Sequence, residues 1–219
     1  MIAEKLNDWV TLYEGDCHDV LPLLTGIDAV VTDPPYGLGK RLSGGKWGAN
    51  NSGFDWDVLP DLVPLLAMKL PTIIWGGNYF QLPPSRCQLI WWKPDAPPTM
   101  ADAEVAWTNF DANTRLLRHT IAATRESKER ALGHPTQKPL RVMRWCISHL
   151  PADANVILDP FAGSGTTGVA AMLEGRKCIL IEKDPQYCEI IRRRIDKATG
   201  TGSGSLFAPK HSLFEEEPC

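Results

Sequence analysis

Residues 156–184 read VILDPFAGSGTTGVAAMLEGRKCILIEKD, and the order of residue types in this stretch decides the fold. An apolar, β-branched run ends on Asp159. Gly163, Gly165 and Gly168 follow at G-x-G-x-x-G spacing, then an alanine-rich stretch, then a second apolar run that ends on Glu182. That order predicts a strand, a tight turn, a helix and a second strand parallel to the first. The glycines let the backbone turn sharply and approach a ligand closely. A carboxylate about 20 residues further on can accept hydrogen bonds from both hydroxyls of a ribose.

On these residues alone the ligand stays open between a dinucleotide and S-adenosylmethionine, since both carry an adenosine ribose. Asp159, at the mouth of the strand, would repel a pyrophosphate and suit a cationic sulfonium. No Walker-type lysine follows the glycines, so a phosphate-cradling nucleotidase is not expected. A glycine turn that serves only close helix packing is the plainer alternative.

Outward from this unit, short apolar runs recur at 10–13, 29–32, 72–75, 89–92, 156–158 and 177–181. Helix-like stretches at 20–24, 59–69, 140–150, 166–174 and 185–197 separate several of them. Near-continuous apolar strands alternating with helices imply an α/β fold, a mostly parallel sheet covered on both faces. Ligands in such sheets bind at the carboxyl ends of the strands. The Gly- and Asn-rich segment 37–57 reads as a long functional loop. One domain over residues 1–199 is expected, with residues 200–219, Gly/Ser-rich and then acidic, as a flexible tail.

The chain has 219 residues and a formal net charge of −3, so it is not a generally basic nucleic-acid binder. Between Asp111 and Arg144, however, Arg115, Arg118, Arg125, Lys128, Arg130, Lys138, Arg141 and Arg144 face only Asp111, Glu126 and Glu129. A phosphate-facing surface would need such an excess, and a solvated helix face is the bland reading of it. Cys17, Cys87, Cys146, Cys178, Cys188 and Cys219 are scattered and form no C-x-x-C. Reduced thiols in a cytoplasm are expected, with no disulfide framework and no metal site. No apolar run is long enough for a transmembrane helix, and the first residues lack the order of a signal peptide.

A second stretch, TDPPYG at Thr32–Gly37, ends a buried run on a carboxylate and then locks the backbone with two prolines. Asp33 precedes Pro34 and is pushed toward an extended conformation. Pro34 and Pro35 have fixed φ and no N–H. The corner therefore presents the Asp33 carboxylate and a backbone carbonyl as two acceptors, with Tyr36 as an aromatic face beside them. Two acceptors next to a stacking platform match an exocyclic amine on a planar ring. A proline turn capped by Asp33 is the simpler alternative.

TDPPYG, followed far downstream by HPTQKP (His134–Pro139) and DPFAGSGTT (Asp159–Thr167), resembles the DNA amino-methyltransferases that modify adenine N6 or cytosine N4. The motif order is the one in which the catalytic motif precedes the cofactor loop. The resemblance covers most of residues 10–195. It implies a Rossmann-like, S-adenosylmethionine-dependent methyltransferase fold and double-stranded DNA as partner, with the target base flipped out of the duplex. Asp33, Pro34, Pro35 and Tyr36 would be the catalytic corner. Asp16, in YEGDCHDVL, would meet the cofactor adenine, Glu182 its ribose and Lys138 its methionine end. Cys17, Asp33, Asp159, Phe161, Gly163, Ser164, Gly165, Thr166, Thr167 and Lys183 complete the expected cofactor contacts. Lys40, Arg41, Lys46, Arg115, Arg118, Arg125, Lys128 and Arg130 are the candidates for DNA.

An aspartate at the head of the proline motif leans toward adenine N6 over cytosine N4. The target-recognition region that family members insert is reduced here to about residues 94–133. Recognition would then be short, relaxed or shared with a second subunit, and a homodimer and a restriction-modification setting in bacteria or phage are expectations of the same kind. A nicotinamide-dependent oxidoreductase would leave the proline corner unexplained. A non-catalytic DNA-binding module would keep the fold without the transfer.

Overall fold

Parallel pairing of the two strands that flank the glycine turn organises the sheet. The structure, a computed structural model, describes residues 2–38, 57–127 and 137–200. Its strands are β1 (Ile2–Lys5), β2 (Val10–Glu14), β3 (Ala29–Thr32), β4 (Thr72–Trp75), β5 (Gln88–Trp92), β6 (Ala103–Thr108), β7 (Arg115–Arg118), β8 (Val156–Asp159) and β9 (Lys177–Glu182). The helices are α1 (Cys17–Val20), α2 (Val63–Ala67), α3 (Ile121–Glu126), α4 (Leu140–Ser148), α5 (Thr166–Leu173) and α6 (Pro185–Thr199). All six expected strands and five expected helical stretches are present within a few residues of their expected ends; the second helical stretch shortens to α2, and the first becomes α1 with a 3₁₀ turn at Leu21–Leu23.

The sheet runs β1-β2-β9-β8-β3-β4-β6-β5-β7. Strands β2, β9, β8, β3 and β4 are parallel, β6 is antiparallel to β4 and β5, and β7 is parallel to β5. Strands β6 and β7 lie in the interval expected for target recognition, yet they continue the same sheet. Neither strand is among those expected, because β6 (AEVAWT) is half-buried along its first three residues and β7 (RLLR) buries only Leu117. Both lack the continuous apolar run of a strand covered on both faces, although only β7 lies at the sheet edge.

Alternation along β3 sorts the core into two layers. Ala29 and Val31 pack with Val142, Met143, Val169, Met172 and Ile191 of α4, α5 and α6. Val30 packs on the other face with Val20, Leu62, Leu65 and Ile74, beneath α1 and α2. Helices thus cover both faces, and the central strands β3 and β4 are buried on both sides.

The order decides where the chemistry sits. From β3 the chain proceeds outward to β4, whereas from β8 it proceeds the opposite way to β9. The crevice between β3 and β8 is therefore the topological switch point, where α/β sheets bind ligands. Asp33 leaves one side of that crevice and the glycine turn leaves the other.

Candidate active site

Both motifs, 127 residues apart, are tied together through one buried carboxylate. Asp159 is 2% exposed. Its Oδ1 accepts from Thr32 Oγ1 at 2.7 Å and from the Phe161 amide at 3.1 Å, and its Oδ2 accepts from Thr167 Oγ1 at 2.5 Å. Burial pushes its pKa up to about 6, with the Thr167 and Thr32 hydrogen bonds pulling the other way. The sequence placed Asp159 opposite a ligand cation. In the fold its oxygens brace β3, β8 and the start of α5.

The glycine turn is held from below by a residue that no motif signalled. Arg194 of α6, buried, donates through Nη1 to the Ser164 carbonyl at 2.7 Å, to Ser164 Oγ at 2.7 Å and to Thr166 Oγ1 at 2.9 Å. Gly165 caps α5 at φ 76°, a left-handed conformation, and a Cβ there would lie 2.9 Å from Ile191 Cγ1. Glycine is required on both counts. Glu182, at the end of β9, accepts from the Gly163 amide at 2.7 Å and the Asp184 amide at 2.9 Å. Burial raises its carboxyl to about pKa 7 against those hydrogen bonds. Asp16 caps α1, accepting from the His18 amide at 2.9 Å. The neighbouring Cys17 thiol is pushed up to about 11, chiefly by burial, so it is protonated near neutral pH.

A cavity of about 880 Å³ joins these groups. Its walls include Asp16, Cys17, Phe161, Gly163, Ser164, Thr166, Thr167, Glu182 and Lys183 on one side, and Asp33, Pro34, Pro35, Tyr36 and Lys138 on the other. That volume lies in the range of small-molecule sites. Of the expected cofactor and corner residues, only Gly165 is absent from the lining.

At the proline corner the aspartate is engaged twice. Tyr36 Oη donates to Asp33 Oδ1 at 2.5 Å, and Lys138 Nζ donates to Asp33 Oδ2 at 2.7 Å. Lys138 Nζ also donates to Tyr36 Oη at 3.0 Å and contacts Glu104 Oε2 at 3.2 Å. An ammonium has three donors, and all three point into this cluster rather than at open cavity. Burial alone would lower the Lys138 pKa. Asp33, Tyr36 and Glu104 outweigh it and hold the ammonium well above the ordinary lysine value. Desolvation and the Asp33 charge likewise hold the Tyr36 phenol well above its ordinary value, so it stays a donor.

The Tyr36 ring is packed on its flanks. Tyr79 stacks on it with centroids 4.9 Å apart at 20°, and Phe80 meets it edge-on at 6.2 Å. A Cβ on Gly76 would come within 2.2 Å of Tyr36 Cε1, so only glycine admits the ring. Tyr79, 42% exposed, extends this stack toward solvent. It sits in WGGNYF, a stretch with no motif to mark it.

The DNA candidates divide. Lys40, Arg41, Lys46, Lys128 and Arg130 lie outside the described residues, as do His134 and the side chain of Arg125. Arg115 and Arg118 are both exposed on β7. Strand β7 runs parallel to β5, and β5 and β4 are both antiparallel to β6. Arg118 therefore ends its strand at the edge that carries the cavity, and Arg115 begins it at the far edge. Arg118 also lies 6.0 Å from the Trp92 ring. Arg144, counted in the basic excess, is paired with Glu174 at 2.7 Å.

The cavity at the switch point thus has the glycine turn and Glu182 on one side and the proline-braced Asp33 on the other. The chain belongs to the DNA methylase family, which it matches over residues 72–193, more than half its length. It is 26% identical to the type II methyltransferase M2.MboI of Moraxella bovis over 86% of this chain and 88% of that protein. Higher identity is local: 41% to type II methyltransferase M2.LlaDCHI of Lactococcus lactis over 38% of this chain, and 44% to DNA adenine methyltransferase YhdJ of Escherichia coli over 31% of it. Those two matches span 31% and 23% of the relatives' own length. The M1.HpyAVI–SAM complex shares the fold, with a TM-score of 0.56 and 23% identity over 84% of this chain and 99% of that one.

Proposed function

We propose that this protein is an S-adenosylmethionine-dependent DNA methyltransferase that methylates the exocyclic N6 amine of adenine. The observation that carries the proposal is Asp33, rigidly placed by Pro34 and Pro35 and oriented by Tyr36 and Lys138, across one cavity from the Gly163–Gly168 turn and Glu182. Membership of the DNA methylase family supports it, and the adenine assignment draws on the aspartate of the corner and the name of the local relative YhdJ.

The cavity residues fit the cofactor: Glu182 for the ribose hydroxyls, Asp16 for the adenine amine and Phe161 as an apolar wall. When bound, S-adenosylmethionine supplies an electrophilic methyl group on a sulfonium. Every other contribution is positional. Asp33 and the Pro34 carbonyl accept the two amine hydrogens, which fixes the nitrogen lone pair for in-line attack, and the Tyr36–Tyr79 stack seats the ring. Holding reactants in that geometry supplies most of the acceleration. The proton released by the methylated amine leaves past Asp33 to water, and no enzyme nucleophile is needed. Lys138 serves the corner, holding Asp33 rather than the methionine end of the cofactor.

Expression in a methylation-free host, with sequencing that distinguishes modified bases, tests the proposal. N6-methyladenine at a recurring short site is the expected result. N4-methylcytosine alone would overturn the base assignment, and unmodified DNA the enzyme assignment.

Cofactor affinity should depend on pH through Glu182. Its carboxyl is raised to about 7 in the free protein, so it is protonated below that pH and cannot accept from both ribose hydroxyls. Titration calorimetry should show binding tighten as pH rises toward 7, by up to about tenfold per unit, and then level off. Glu182→Gln should bind weakly with a flat profile. A flat profile in the parent would count against the ribose role.

Arg118, on the cavity edge, is assigned to backbone phosphate and Arg115 is not. Arg118→Ala should weaken DNA binding across all sequences and lower the salt slope by about one, while Arg115→Ala leaves both unchanged. The reverse pattern would move the DNA to the other edge.

A further inference from the structure

Asp33, Tyr36 and Lys138 have parts in the proposed transfer, but two charges beside them, the buried Lys93 and the half-buried Glu104, do not. Lys93, 3% exposed, follows β5 directly, and its amide donates to the Asp102 carbonyl at 2.8 Å. Glu104, on β6, stands in register with Trp91. Both side chains are thus fixed at the base of the β5–β6 hairpin, whose tip residues Thr99 and Met100 line the cavity. Glu104 Oε1 accepts from Lys93 Nζ at 3.0 Å and its Oε2 contacts Lys138 Nζ at 3.2 Å. Lys93, Glu104, Lys138 and Asp33 form a chain of alternating charge from hairpin to proline corner.

Stability does not account for the outer half of this chain. Lys138 and Asp33 already balance one another, and a second pair brings a further desolvation cost, largest for the buried Lys93, before any attraction is counted. Apolar residues of similar size would fill the space at least as well. What Glu104 adds is a second anchor for the Lys138 ammonium.

We infer that Glu104 is a positioning residue for methyl transfer: it shares the Lys138 ammonium with Asp33, so that Asp33 is oriented yet keeps acceptor capacity for the substrate amine. Lys138 held by Asp33 and Tyr36 alone would swing on its four-carbon stem and compete fully with the amine for the Asp33 oxygens. Drawn toward β6 by Glu104, it takes one lone pair of Asp33 Oδ2 while Tyr36 takes one of Oδ1, which leaves a lone pair on each oxygen for the amine. Lys93 offsets the charge that Glu104 brings into the interior, and burial of Glu104 is outweighed by Lys138 and Lys93, which keep it ionised. This inference rests on the amine-transfer reading of the cavity.

Two variants test it, with the parent enzyme assayed alongside. Glu104→Gln should lower kcat by roughly ten- to a hundredfold, the scale of a misplaced reacting group, with cofactor Kd unchanged. Because it leaves two buried ammoniums with one carboxylate, it should also lower Tm. The double variant Glu104→Leu/Lys93→Met removes one charge of each sign and should regain Tm while kcat stays low. Recovery of kcat together with Tm would mean a merely structural role and overturn the inference, as would an unchanged kcat in Glu104→Gln or a defect confined to cofactor Kd. A parent enzyme that transfers no methyl group overturns both readings. An active parent with unaffected variants overturns only this one.

Discussion

Asp33→Ala should still bind the cofactor and lose methyl transfer by about three orders of magnitude or more. Asp33 lines the proline side of the cavity, and the groups assigned to the ribose and adenine (Glu182 and Asp16) hang on other strands, so the affinity measured by calorimetry should hold. The rate should not, because the role proposed for Asp33 is to aim the amine, and misplacing a reacting group by about 1 Å already costs some hundredfold. Asp33→Asn separates charge from shape. It keeps an acceptor oxygen near Lys138 but no longer pairs with its charge, so its rate should fall between parent and Asp33→Ala. Single-turnover transfer of labelled methyl to DNA reads this directly. A fully active Asp33→Ala would remove the proline corner from the chemistry and favour a DNA-binding module that merely keeps the fold.

The second large effect should come from Lys138→Met. This substitution removes the cation between Asp33 and Glu104, which both lie within 3.2 Å of its nitrogen. Breaking a buried pair by deleting one partner typically costs about 3–5 kcal/mol, so thermal unfolding should shift down clearly. Relief by acid is the diagnostic. With the ammonium gone, two carboxylates share the single ammonium of Lys93, so uptake of a proton by the cluster relieves the excess charge and the loss of stability relative to the parent should shrink as pH falls. The parent should show the opposite sign for Glu104, whose carboxyl is held below its ordinary value and whose contribution fades as pH drops. Transfer should fall by about a hundredfold or more, while cofactor affinity changes little if Lys138 serves the corner. A large loss of cofactor affinity with a modest loss of rate would instead return Lys138 to the methionine end of the cofactor, where the resemblance first put it.

Much of this could be read from the residues in order. Apolar runs ending in Thr32, Asp159 and Glu182 announced strands whose carboxyl ends carry polar groups, and the spacing of Gly163, Gly165 and Gly168 announced the turn between two of them. These signals are local, because strand burial, turn conformation and helix propensity are each set within a few residues. The proline corner was legible for the same reason: Pro34 and Pro35 restrict their own backbone and that of Asp33.

What stayed hidden depended on partners far apart in the chain. Glu104 and Lys93 lie in stretches with no motif, and only the β5–β6 register brings them together. Arg194 lies on the amphipathic helix α6 and looks like any solvent-facing arginine until the helix packs beneath the turn. The stacking of Tyr79 on Tyr36 needs the left-handed Gly76 and the neighbouring of β3 and β4. Arg115 and Arg118 were indistinguishable as charges, and strand direction alone puts one at the cavity edge and the other across the sheet.

By itself, then, the sequence determined the strand–turn–helix–strand unit and the rigid acceptor at Asp33, and its motifs pointed to the family. Only the tertiary structure decided how that acceptor is charged and held. Burial makes each carboxylate and ammonium depend on its nearest partner, and which partner is nearest is settled by strand order and register.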